Sequence, residues 1–239
     1  MQIITDLKKG TALFSDTLKL AVICLPYLLI FMIFMLVFGL YHALVVSPPD
    51  YQMGDVVRIM YVHVPAVYGA VFSYFILFLC SVFVVFKNSQ TAYIIGRSIA
   101  PIGFALTVLG LVSGSIWGKP TWGTWWVWDA RLTSFFAMSL IYGCHLIWNM
   151  KSNPCFKVSN APFWLVIVGF LNVPIIKFSV VWWTTLHQPT TLLRTGGASI
   201  NDSMLFALLL MFGFMTLFIV CTLIMRTSAW NILIKKGNE

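Results

Sequence analysis

Six long apolar runs constrain this chain more than any other feature. They cover roughly residues 18–40, 63–86, 99–117, 132–150, 162–183 and 204–225. A helix needs about 20 apolar residues to cross a bilayer, and each run is close to that length or longer. The runs are continuous rather than alternating, and too long for barrel strands, so helices are implied. Composition agrees: the chain of 239 residues is 60% hydrophobic and only 9% charged, with a mean hydropathy of +0.91. A soluble domain carries about a quarter charged residues. The expected fold is all-α: a polytopic membrane protein, one bundle of six transmembrane helices forming a single domain over residues 1–239.

The basic residues orient that bundle. Lys8, Lys9, Lys19, Lys87, Arg97, Lys151, Lys157, Arg226, Lys235 and Lys236 fall on one side; Arg58, Lys119, Arg131 and Arg194 fall on the other. Basic residues collect in cytoplasmic loops, so both termini are expected inside. Three loops, at about 41–62, 118–131 and 184–203, then face out. The net charge of +8 reads as this topology rather than as nucleic-acid binding. The first run is too long for a signal-peptide core and lacks a small-residue cleavage site after it. Cys24, Cys80, Cys144, Cys155 and Cys221 form no CxxC pair and are expected as small buried apolar residues. No GxxxxGK[ST] loop is present, so any ATP use belongs to partners.

The chemistry concentrates in one stretch between the third and fourth runs. Residues 117–134 hold five of the ten tryptophans, Trp117, Trp122, Trp125, Trp126 and Trp128, together with Asp129 and Arg131. Gly118, Pro120 and Gly123 argue against a continuous helix there. Tryptophan also collects at membrane interfaces as a belt. A belt is spread over many helix ends, however, and does not need this density. The alternative is a flat aromatic shelf for a large planar ligand, with polar groups at its edge. Asp129 stands where it would cap the fourth span or pair with Arg131.

Two histidines flank this stretch. His63 precedes Pro65, which suits a first helical turn, and His187 follows the fifth run; both are expected at the outer surface. Either alone is an ordinary interfacial residue, but two on one face beside a tryptophan cluster suggest ligands. His42 has no motif around it. His145 lies deep in the fourth run, where an interhelical hydrogen bond would satisfy it. Lys177 lies within the fifth run and is expected to face a cavity, a partner or the interface by snorkelling. Pro26, Pro101 and Pro174 are expected to start or kink helices.

The stretch Trp122-Gly-Thr-Trp-Trp-Val-Trp-Asp-Ala-Arg-Leu-Thr133 resembles the tryptophan-rich WWD signature of the haem-handling proteins of cytochrome c assembly, most closely the CcmC family. Asp50-Tyr-Gln-Met-Gly54, Tyr61-Val-His-Val-Pro-Ala66, Gly114-Ser-Ile-Trp-Gly-Lys-Pro120, Asn172-Val-Pro-Ile-Ile176 and Trp182-Trp-Thr-Thr-Leu-His-Gln188 agree with the same family, so the likeness covers nearly the whole chain. It implies a bacterial or mitochondrial inner-membrane protein that is not an enzyme. It implies haem b held on the periplasmic face, with His63 and His187 as axial ligands of the iron over Trp117, Trp122, Trp125, Trp126 and Trp128. Arg58, Asp129 and Arg131 complete the expected site. The implied partners are the haem chaperone CcmE, the small membrane protein CcmD, the ATP-driven pair CcmA and CcmB, and membrane lipids. Competing readings are a subunit that moves haem across the membrane, a larger haem lyase of the same superfamily, and an electron-transfer cytochrome b. A cytochrome b would need paired histidines inside facing helices.

Overall fold

The computed structural model describes residues 2–150, 159–187 and 200–236. Lys151, Cys155, Lys157 and Arg194 lie outside the described residues. Seven α-helices follow in order: α1 (Gln2–Tyr41), α2 (Met60–Lys87), α3 (Gln90–Trp122), α4 (Ala130–Met150), α5 (Ala161–Gly169), α6 (Asn172–Trp182) and α7 (Asp202–Lys236). A π-helical turn, His42–Val46, extends α1, and a 3-10 turn, Asp55–Ile59, leads into α2. Six stretches are long and apolar enough to cross a membrane, α5 and α6 together making the fifth. Among the described residues there is no strand.

The split of the fifth span has a local cause. Pro174 has no N–H, and its ring crowds the carbonyl four residues earlier, that of Phe170. The helix breaks there. Leu171 N–H turns to Val168 O at 3.1 Å and Val173 N–H to Phe170 O at 3.0 Å, the tighter three-residue spacing. Asn172 Nδ2 then donates to Ser134 O at 2.7 Å, tying the break to α4. Pro26 and Pro101, by contrast, sit inside helices that run through them.

The third span differs from expectation in the other direction. The helix does not stop at Trp117 but continues through Gly118 and Pro120 to Trp122. Proline's preset φ is compatible with a helix, and the last turn keeps its hydrogen bonds beyond Pro120. Thr121 Oγ1 donates to Trp117 O at 2.7 Å, and Gly123 N–H donates to Lys119 O at 3.0 Å. Gly123 closes the helix at φ +76°, a left-handed cap that favours glycine. The connection to α4 is therefore only residues 123–129, shorter than the 118–131 expected. Pro65 falls in the second turn of α2, not the first, because the helix already begins at Met60.

Without a hydrophobic drive between helices in lipid, close backbone approach and hydrogen bonds hold a bundle together. The most extensive pairing is α2 with α3. Buried Ala66, Gly69, Ala70 and Ser73 line one face of α2, and Gly96, Ala100, Gly103, Thr107 and Gly110 one face of α3. The α3 set is spaced four and three residues in alternation and the α2 set falls on the same kind of stripe, the geometry of a narrow packing seam. Tyr142 of α4 reaches across to donate to Ala70 O at 3.1 Å. His145 is satisfied as anticipated, with Nδ1 at 2.9 Å from Pro162 O and Nε2 at 3.1 Å from Asn149 Nδ2. The cysteines divide: Cys80 and Cys221 are buried, whereas Cys24 and Cys144 are exposed on the bundle's outer surface, contrary to expectation. Lys177 is exposed on α6. A second, smaller core of Val57, Met60, Tyr61, Met204, Leu208 and Met211 packs at the end that carries the Trp-rich stretch, where Ser47 and Tyr61 share a hydrogen bond.

Candidate haem site

A cavity of about 700 Å³ opens at that end of the bundle. His63, Val64 and Tyr68 of α2, Gly114, Trp117 and Trp122 of α3, Arg131 of α4, His187, and Met204 of α7 all line it. The segment after α1, from Pro48 to Met53, forms a further wall. Asp50 Oδ1 shapes this wall by accepting Gln52 N–H at 2.9 Å and Met53 N–H at 2.8 Å.

The two histidines enter from different elements and meet in this one cavity. His63 stands on α2 with Nδ1 3.1 Å from Ser113 Oγ. The hydroxyl's own hydrogen is directed to Leu109 O at 2.6 Å, so Ser113 accepts from the ring and His63 carries its proton on Nδ1. His187 follows α6, and its Nδ1 lies 3.1 Å from Asp129 Oδ2. A carboxylate only accepts, so this ring also carries its proton on Nδ1. Both Nε2 atoms are left with a lone pair. An indole flanks each ring edge to face: Trp117 against His63 with centroids 5.6 Å apart, Trp122 against His187 at 4.8 Å. Burial pushes the His187 imidazole below its ordinary range, with the Asp129 carboxylate pulling the other way. The outcome favours the neutral form that binds metals.

Gly114 makes room for His63. A Cβ at this position would lie 2.8 Å from the ring's Cε1, closer than real contacts allow. Asp129 makes the cap expected of it and a second bond that the sequence did not assign. Oδ1 accepts Leu132 N–H at 2.7 Å and caps α4, while Oδ2 holds His187. Among the described residues it forms no ion pair with Arg131, whose Nε donates to Ser179 Oγ at 3.4 Å. The guanidinium of a cavity-lining arginine is thus not engaged by a carboxylate.

The tryptophan cluster divides. Trp117 and Trp122 line the cavity. Trp126 stacks edge to face on Trp128 at 5.4 Å and on Phe136 at 6.0 Å, outside it. Trp125 and Trp128 are 56% and 76% exposed, which sets them on the protein surface. Arg58 is likewise turned away: it pairs with Asp55 at 2.9 Å and donates to Ala43 O at 2.8 Å. His42 packs among Phe38, Tyr41 and Phe206. Tyr68 and Ser113 escaped the sequence reading. Ser113 precedes Trp117 by one helical turn, the one spacing signal available, whereas Tyr68 lies five residues from His63 and has none.

A family model described as CcmC, heme exporter protein C, matches residues 10–238. The chain belongs to the CcmC family. It is 42% identical over 188 residues to a heme exporter protein C of Bradyrhizobium diazoefficiens, covering 78% of this chain and 71% of that one. Against the protein of the same name from Escherichia coli K12 it is 34% identical over 228 residues, 90% and 91% of the two chains. A cytochrome c biosynthesis ccmC-like mitochondrial protein of Marchantia polymorpha is 38% identical over 179 residues, 75% of each.

Proposed function

We propose that this chain holds haem b at the periplasmic face, between the His63 and His187 imidazoles, and passes it to the chaperone CcmE. Membership of the CcmC family makes haem the substrate and cytochrome c maturation the setting of a multi-pass inner-membrane protein. The observation that carries the finer reading is the pairing of two imidazoles in one cavity, each with its proton held on Nδ1 and its Nε2 available. Haem iron takes two axial ligands on opposite faces, and neutral imidazole is a common one.

The remaining lining fits the same group. A volume of about 700 Å³ lies within the roughly 300–1,000 Å³ of cofactor pockets. Indole rings suit a porphyrin face. Arg131 suits a propionate, since a guanidinium meets a carboxylate with two parallel donors. The buried indole N–H of Trp117 has no acceptor among the described residues and would serve as a second donor for that acidic edge. Trp125, Trp126 and Trp128 extend the aromatic surface outward, where a chaperone would meet the haem edge. The chain forms no covalent bond to its substrate in this reading; CcmD and the ATP-driven pair CcmA and CcmB complete the assembly.

A visible spectrum of the purified, haem-loaded protein tests the assignment. The wild type is expected to be six-coordinate and low-spin. His63→Ala and His187→Ala are expected to give five-coordinate or empty sites, with external imidazole partly restoring binding. His42→Ala and His145→Ala are expected to leave the spectrum nearly unchanged. A low-spin six-coordinate spectrum that survives the His63→Ala/His187→Ala double substitution overturns the ligand pair. Loss of CcmE loading on removing either histidine is the matching functional readout.

A further inference from the structure

The two imidazoles are backed by groups of different charge. Behind His187 stands a carboxylate. The Asp129 side chain is only 8% exposed, and its second oxygen is pinned by Leu132 N–H at 2.7 Å. The loop position of His187 is fixed again by its own N–H, which donates to Thr185 Oγ1 at 3.2 Å. Behind His63 stands a neutral hydroxyl whose hydrogen is already committed to Leu109 O. A hydrogen bond to an ionised acceptor is about twice as strong as a neutral one. Drawn toward a carboxylate, the Nδ1 proton leaves more electron density on Nε2, which makes the ring a stronger donor to a metal.

We infer that Asp129 and Ser113 are positioning residues that make the axial pair unequal: His187 is the retained ligand, and His63 is the one that yields when haem leaves. The inference rests on the axial role of both histidines. An unequal pair suits a protein that must hold haem and also give it up. A site built from two strong donors would retain haem, and one built from two weak donors would not load.

Carbon monoxide identifies the weaker ligand directly, since it displaces that ligand from ferrous haem while the stronger one stays opposite. The haem-loaded full chain is reduced, exposed to carbon monoxide, and its Fe–C and C–O stretching frequencies are read by resonance Raman spectroscopy. The wild-type signature is expected to coincide with that of His63→Gly, in which only His187 remains, and to differ from that of His187→Gly. Asp129→Asn keeps the α4 cap, because Asn caps as well as Asp. It is expected to raise the midpoint potential and to yield a mixture of the two signatures. Ser113→Ala is expected to lower haem occupancy without moving the wild-type signature. The inference is overturned if the wild type matches His187→Gly, or if Asp129→Asn moves neither potential nor signature. If neither glycine variant alters the low-spin spectrum, the axial reading itself falls, a result separable from the other two.

Discussion

Asp129 shows how a single side chain can serve two partners at once. Carboxylates at a helix start cap it, and carboxylates beside a histidine hold its tautomer; here one oxygen does each. That division was hidden because the two partners, Leu132 and His187, are so unevenly spaced along the chain. His63, His187 and Asp129 themselves were legible, because unusual residue types stood beside unusual neighbours. Ser113 and Tyr68 were not, since a serine and a tyrosine in an apolar helix are common and only the folded position gives them a role. The tryptophans are the sharpest residue-scale case. Identical chemistry in the chain becomes two populations in space, with Trp117 against His63 and Trp128 out on the surface. Trp117→Ala is expected to lower haem occupancy several-fold, whereas Trp128→Ala leaves occupancy near wild type. If Trp128→Ala acts at all, it acts on chaperone loading. Haem content per mole of purified protein, set beside the amount of haem-loaded CcmE, separates the two effects.

At the scale of elements, the six spans were readable from hydropathy alone, because membrane insertion depends on length and apolarity rather than on tertiary detail. Their ends were not. Gly118 and Pro120 weigh against helix by local propensity, yet α3 runs through both, with Thr121 Oγ1 and Gly123 N–H bonding to Trp117 O and Lys119 O in its last turn. The consequence is functional: the extra turn carries Trp122 to His187. Pro174 breaks the fifth span for the opposite reason, having Asn172 to lock the break to α4. The last turn of α3 can be tested at its cap. Gly123 holds φ +76°, where a side chain costs about 1–2 kcal/mol. Gly123→Ala is expected to lower thermal stability accordingly and to weaken haem retention by displacing Trp122. Gly123→Asn, which tolerates the left-handed region better, is expected to fall between. Melting in detergent, followed by tryptophan fluorescence, reads the order of the three.

Taken as a whole molecule, the chain places the described residues of the proposed site at one end of the bundle, and charge gives the expected direction of that end in the membrane. With basic residues gathered at the opposite end, the cavity is expected to face the periplasm. In a background lacking the five native cysteines, Gln52→Cys is expected to react with a membrane-impermeant maleimide in intact cells, and Asn88→Cys only after permeabilisation. The reverse pattern would invert the topology. The cavity also has a structural property with a thermodynamic sequel. Its wall is assembled from one end of α2, α3, α4 and α7 and from the segments that follow α1 and α6, so it draws on parts of the chain far apart in sequence. A guest bound there acts as a keystone. Occupancy at one hundred times the dissociation constant adds about 2.7 kcal/mol to the folded state through mass action. The loaded bundle is therefore expected to melt several degrees above the empty one, and the Trp117→Ala protein to show a smaller gap. By the same linkage, a protein that gives up its guest also gives up that margin, so the empty bundle is expected to unfold more readily than the loaded one.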